Sequence, residues 1–121
     1  EKIKLATSAF KSFEVKFDKI IYGPPGRSPR MVWVKAQAPE YNQLKELIEL
    51  GLIDADINFQ RENRLPNPHL TVARFQQSIR NLPRFETPLE LSFKVERITL
   101  IESQLKPSGA EYIPLNYFNL L

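Results

Sequence analysis

Cysteine is absent from this sequence of 121 residues, and its absence excludes disulfide scaffolds, thiol nucleophiles and cysteine-based zinc sites. It also fits a reducing compartment, so we expect a cytoplasmic protein. Long apolar runs are absent too, since no segment approaches the roughly 18 residues that a membrane-spanning helix needs. Histidine occurs once, as His69. Histidine acid-base chemistry in this chain therefore depends on that residue.

The remaining composition is that of an ordinary globular protein, with 42% hydrophobic and 26% charged residues, and we expect residues 1–121 to form one domain. A net charge of +3 is too small to identify a nucleic-acid-binding protein by itself. The basic residues are concentrated early in the chain, so a basic face that attracts a phosphate-bearing ligand and a solvated surface of mixed charge both stay open. Six basic residues lie in the segment from residue 11 to residue 35: Lys11, Lys16, Lys19, Arg27, Arg30 and Lys35.

Hydrophobic periodicity in the first half of the chain predicts two helices and two strands. Lys2–Lys11 has apolar residues at helical spacing, whereas Phe13–Phe17 alternates with charged residues as a half-buried strand does. The apolar, β-prone Met31–Ala36 predicts a second strand, the antiparallel partner of the first. Pro39 is typical of a helix start, and Gly51 predicts the end of that helix.

The second half is richer in strands. We predict strands at His69–Arg74, Leu89–Val95, Ile98–Ile101 and Tyr112–Leu115, and a short helical stretch at Phe75–Leu82. Consecutive strands joined by short turns, with two or three helices, indicate an α+β fold with mainly antiparallel sheets.

His69 and Thr71 form the one pair in the sequence that indicates chemistry. They lie two residues apart on a predicted strand, so their side chains share a face. An imidazole can transfer a proton near neutral pH, and a hydroxyl can donate to a phosphate oxygen. Pro66 and Pro68 would stiffen the entry to the strand. On spacing alone, a structural histidine is the more common case, and both interpretations stay open.

The residues around this pair resemble a known family. The run Arg64–Arg74, RLPNPHLTVAR, is similar to the second His-x-Thr motif of the two-histidine (2H) phosphoesterases, specifically the LigT-like group of RNA 2′,3′-cyclic phosphodiesterases, also called 2′-5′ RNA ligases. Three further segments resemble that group in order and spacing, so the resemblance covers nearly the whole chain. They are Phe13–Phe17, Arg30–Val34 and Ile101–Tyr112.

The resemblance implies a bilobal architecture, with a cleft between two lobes of antiparallel sheet and one His-x-Thr motif from each lobe. By motif, His69 corresponds to one of two catalytic acid-base histidines, and Thr71 to a catalytic residue that also holds the phosphate. Arg74 corresponds to a further phosphate-binding residue, although strict alternation would turn it away from Thr71 unless the strand ends or bulges. A surface salt bridge is an equally open role for Arg74. The family needs no metal and no organic cofactor.

One family feature is missing. The first His-x-Thr motif of the family lies upstream of a helix like Lys2–Lys11, so the resemblance implies an N-terminally incomplete domain that is inactive alone. The implied substrate is an RNA or oligonucleotide ending in a 2′,3′-cyclic phosphate, such as a fragment of transfer RNA, or a small cyclic nucleotide. The alternative is a non-catalytic RNA- or nucleotide-binding module that retains Thr71 and Arg74. Neither interpretation predicts the oligomeric state.

Two aromatic residues allow a role in binding bases. Trp33 and Tyr22 could stack on a nucleobase, as aromatic side chains do in many RNA-binding proteins. Trp33 lies inside an apolar predicted strand, which favours core packing for that residue.

Overall fold

The structure is a computed structural model, and it describes residues 1–26, 28–62, 67–77 and 81–121. Within them lie two helices and six strands. Their bounds are α1 Lys2–Ser8, β1 Phe13–Gly23, β2 Met31–Gln37, α2 Pro39–Asp54, β3 His69–Arg74, β4 Glu86–Val95, β5 Arg97–Lys106 and β6 Gly109–Asn119.

The chain divides into two compact units. The first unit contains Glu1–Phe13, Asn42–Glu62 and Lys94–Leu121, and the second contains Glu14–Tyr41 and Asn63–Phe93. Most of α2 and the β5–β6 hairpin therefore belong to the first unit. The four-stranded sheet that includes the predicted site residues lies in the second unit, except for Phe13 of β1 and the end of β4.

The sheet of the second unit has the strand order β3-β2-β1-β4. The predicted antiparallel pairing of the first two strands is confirmed, with Ile20 opposite Val34. Residues directly opposite one another in an antiparallel pair share a face, and successive residues alternate between faces. One face bears Lys19, Lys35 and His69, which are in register across three strands. We call it the His69 face.

The opposite face is apolar. Phe17, opposite Ala36, and the Ile20–Val34 pair lie on it. Phe17 stacks on Phe93 of β4 with ring centroids 5.9 Å apart. Burial of these side chains removes apolar surface from water, which stabilises the sheet. The buried hydrophobic residues of the described chain are Phe13, Val15, Phe17, Trp33, Ala36, Ala38, Leu44 and Phe118.

In the first unit, α2 ends later than the sequence predicted. Gly51 lies inside the helix, so its predicted role as the helix stop is wrong. The chain instead leaves the helix at Asp56, which has φ 55°. The Asp56 N–H donates to Ile53 O and the Ile57 N–H to Leu52 O, both at 3.0 Å, the bond pattern of a Schellman cap. Aspartate tolerates the left-handed conformation better than most residues, so it replaces glycine there.

Other element bounds also differ from prediction. The first helix ends at Ser8, and β6 extends over Gly109–Asn119 where only Tyr112–Leu115 was predicted. Pro114 interrupts the sequence pattern there, but the structure accommodates it beside a register shift between Leu100 and Ile101. The centre of the predicted helical stretch Phe75–Leu82 lies outside the described residues, and its described ends are not helical.

The predicted fold class is confirmed, because two helices accompany sheets whose described strand pairings are antiparallel. Among the helices of the described chain, none combines the length and the apolar character that crossing a membrane requires.

Candidate functional site

The predicted site residues lie on β3, an edge strand of the sheet. His69 is opposite Lys35 and Thr71 is opposite Trp33, both on β2. Lys35 and Trp33 are two residues apart on one strand, so all four side chains are on the His69 face. The structure thus brings His69 and Thr71 to one side of the sheet, as their spacing predicted.

Arg74 reaches the same face because β3 has a bulge. Ala73 pairs with Val32 and Thr71 with Trp33, which leaves Val72 as an extra residue between two paired positions. Beyond the bulge the alternation is reversed, and Arg74 is opposite Met31, which belongs to the His69 face. The bulge that Arg74 required is therefore present.

The His69 ring is exposed and held from two sides. Its Nδ1 lies 2.6 Å from the backbone oxygen of Asn67. A carbonyl oxygen only accepts hydrogen bonds, so we assign the proton to Nδ1, which leaves Nε2 for exchange with a ligand. The ring also stacks on Trp33, with centroids 3.7 Å apart and planes 16° apart. These two contacts fix the position and the tilt of the imidazole.

Trp33 is itself held in place by Gly23 of β1. A Cβ atom at Gly23 would lie 2.7 Å from Cγ of Trp33, and closer still to Cδ2 and Cε2. The indole therefore occupies the space that a side chain at this position would take. Trp33 is only 7% exposed, so the core-packing interpretation of Trp33 is confirmed, and His69 covers its ring.

Thr71 and Arg74 converge on one sulfur atom. The Thr71 hydroxyl lies 3.9 Å from Sδ of Met31, and Nη1 of Arg74 lies 3.3 Å from the same atom. A thioether is a weak acceptor, so both donors can exchange it for a phosphate oxygen. In the described part of the chain no carboxylate pairs with Arg74, which argues against the surface salt bridge that sequence reasoning left open.

Tyr22 lies away from these residues, on the apolar face opposite Val32. Its ring packs against Phe75 and Phe85, with centroids 6.4 and 5.8 Å apart. Together with Arg84 and its neighbours, Tyr22 lines an open cavity of about 680 Å³. Tyr22 is therefore part of a separate aromatic cluster and does not contact His69.

Sequence reasoning missed the supporting residues of the site. Gly23 and Met31 contribute through tertiary contacts, and Asn67 through its backbone carbonyl. The one signal available was the alternation of Met31, Trp33 and Lys35 on the second predicted strand, which puts the three side chains on one face. No group of three or more potential metal-ligating side chains occurs among the described residues.

Comparison with known proteins supports the resemblance seen in the sequence. No protein-family model matches the chain. A Thermus thermophilus protein named RNA 2′,3′-cyclic phosphodiesterase is 30% identical over 105 residues, which is 82% of this chain and 51% of that protein. The chain thus spans about half of the length of this curated relative.

Solved structures agree. The crystal structure of TT0787 of Thermus thermophilus matches with a TM-score of 0.77 and 25% identity, covering 97% of this chain and 65% of that one. Escherichia coli LigT complexed with 3′-AMP matches with a TM-score of 0.69 and 23% identity, over 98% of this chain and 66% of that one. At this level of identity, the match with LigT shows a shared fold only. Sequence and fold together support the family resemblance: the curated relative carries the name RNA 2′,3′-cyclic phosphodiesterase, and the structural neighbours TT0787 and LigT belong to the two-histidine phosphoesterase superfamily.

Proposed function

We propose that this chain supplies half of the active site of an RNA 2′,3′-cyclic phosphodiesterase, which opens a terminal cyclic phosphate to a 2′-phosphate. The observation that supports this most directly is the arrangement of His69. Its ring is exposed, its Nδ1 is occupied by a backbone carbonyl, and its free Nε2 shares a face with Thr71 and Arg74. The name of the Thermus relative is consistent with this substrate.

The reaction needs two proton transfers. Water attacks phosphorus after losing a proton to a base, the P–O3′ bond breaks, and an acid gives a proton to the departing O3′ oxygen. His69 acts as one member of this pair through Nε2. Because the chain has one histidine, the second group comes from outside these 121 residues. With the 5′-hydroxyl of another strand as the nucleophile in place of water, the same ring opening would form a 2′-5′ linkage, and the reverse of that step would cleave the linkage back to the cyclic phosphate.

Thr71 and Arg74 act on the phosphate in this proposal. The hydroxyl donates to one non-bridging oxygen, and the guanidinium, with its forked donors, neutralises the charge. Charge on these oxygens changes towards the transition state, so donors that are already positioned lower the barrier. Met31 keeps both donors close together until the phosphate replaces its sulfur atom.

The second candidate function is a non-catalytic module that binds RNA or a nucleotide. Its support is the single histidine, because one imidazole serves one of the two proton transfers. Such a module would use Thr71 and Arg74 for binding and would leave the phosphate unchanged. The two functions differ in turnover, not in the ligand that they recognise.

The test is the release of 2′-phosphate from an oligonucleotide that ends in a 2′,3′-cyclic phosphate. In the protein encoded by the complete reading frame that contains this chain, we expect His69→Ala to lower the rate about a hundredfold or more. Thr71→Ala should impair both binding and hydrolysis, since a lost hydrogen bond to a charged group costs about 1.5 to 3 kcal/mol. Thr87→Ala, on the exposed part of β4, is the control.

The 121-residue chain alone should bind the oligonucleotide but hydrolyse little of it. Equal rates for the complete protein and its His69→Ala variant would refute the assignment of His69. Binding without turnover by the complete protein would favour the non-catalytic module.

A further inference from the structure

A row of basic side chains crosses the His69 face from β3 to β1. Its members are in register, with Lys35 between His69 and Lys19. Neighbouring strands lie about 4.8 Å apart, so the row extends roughly 10 Å from His69. Lys16, opposite Gln37, continues it on the same face. The row is therefore longer than one phosphate group.

Lys35 is the unusual member of this row. It lies half-buried on a central strand, and its ammonium group has no hydrogen bond or ion pair with any described residue. Lysine is rarely buried without a partner, because desolvation of an unpaired charge is costly. Lys19, in contrast, pairs with Glu86 at 3.5 Å. An anionic ligand would supply the partner that Lys35 lacks.

We propose that Lys35 binds the internucleotide phosphate that precedes the terminal phosphate held by His69 and Thr71. The inference rests on the proposed function. A cyclic phosphate diester has one negative charge, which Arg74 is placed to neutralise, so a mononucleotide leaves Lys35 without a partner. A longer strand brings a second phosphate along the row. Lys35 then discriminates oligonucleotides from mononucleotides.

The opposing explanation is that Lys35 packs its apolar stem on the sheet and extends its charge into water. Lys35→Met separates the two explanations, because methionine keeps an apolar side chain and removes the charge. Lys35→Arg keeps the charge. The control is Lys4→Met on α1, an exposed lysine that also has no ion-pair partner among the described residues.

The probes are reaction products, so that binding is measured without turnover: an RNA pentanucleotide that ends in a 2′-phosphate, and a nucleoside 2′-monophosphate. In the protein from the complete reading frame, Lys35→Met should weaken pentanucleotide binding about tenfold. The slope of log K against log salt concentration should also become shallower by about 0.7. Mononucleotide affinity should fall less than pentanucleotide affinity, because the mononucleotide lacks the internucleotide phosphate that Lys35 binds. Lys35→Arg and Lys4→Met should bind like the parent protein.

Equal losses for the two probes, or unchanged pentanucleotide binding, would overturn the proposal, and so would an equal loss in the Lys4→Met control. The result is independent of the hydrolysis assay. If the complete protein fails to hydrolyse the cyclic phosphate but Lys35→Met weakens only the pentanucleotide, the proposed reaction is wrong and the binding role of Lys35 stands.

Discussion

Gly23→Ala tests whether the glycine holds the tryptophan that supports His69. The new Cβ atom would lie 2.7 Å from Cγ of Trp33, where carbon atoms normally approach to about 3.5 Å. The indole must therefore move by about 0.8 Å or more. Such overpacking costs roughly 1 to 3 kcal/mol. With an unfolding entropy of about 2.1 cal/mol/K per residue and 121 residues, each kcal/mol corresponds to about 4 °C in Tm.

We therefore expect Gly23→Ala to lower Tm by roughly 4 to 12 °C. The movement should also reach His69, whose ring is stacked on Trp33 at 3.7 Å. Since the chain has one histidine, its ring protons can be assigned directly by NMR, and their ring-current shift reports the distance to the indole. An unchanged Tm together with unchanged His69 ring shifts would refute the reasoning.

Two further predictions concern α2. Gly51→Ala should stabilise the protein by about 0.5 to 1 kcal/mol, because the new Cβ would meet Cβ of Lys2 at an ordinary 3.6 Å, and a lower Tm would contradict this. The hydrogen bond from Lys45 lowers the pKa of Glu49 below its ordinary value of 4.5, and the charges of Lys45 and Arg61 add to the effect despite partial desolvation. The ionised form is favoured in the folded protein, so Glu49→Gln should reduce the unfolding free energy at pH 7, and urea denaturation should show this difference shrink as the pH falls below 4.5 and through the lowered pKa of Glu49. A difference independent of pH, or an equal one in the Glu46→Gln control, would contradict the assignment.

Local patterns in the sequence predicted the elements that position the site. The alternation from Phe13 to Phe17 and the apolar run from Met31 to Ala36 identified β1 and β2, because a sheet with one apolar face imposes a period of two. The bounds of β3 at His69–Arg74 were also predicted as the structure has them.

What the sequence did not predict depends on contacts between distant residues. Gly51 resembled a helix stop, but a helix tolerates one internal glycine at a cost of about 1 kcal/mol, and Asp56 provides the left-handed cap instead. The contact between Gly23 and Trp33 follows from the register of β1 and β2, which a single sequence does not reveal. The site roles of His69, Thr71 and Arg74 stay predictions that the proposed assays test.

The extra residue in β3 makes the pairing register of this strand part of the site. Six residues of β3, from His69 to Arg74, are opposite five of β2. A backbone hydrogen bond closes the pairing at each end. At one end the Ala36 N–H donates to Pro68 O at 2.9 Å, and at the other the Phe75 N–H donates to Arg30 O at 2.8 Å. If β3 kept all six residues but paired regularly, its register at one end would slip by one residue and one of these hydrogen bonds would break. Either His69 or Arg74 would then turn to the apolar face, so a slip of one residue in register, with every functional side chain retained, would divide the site.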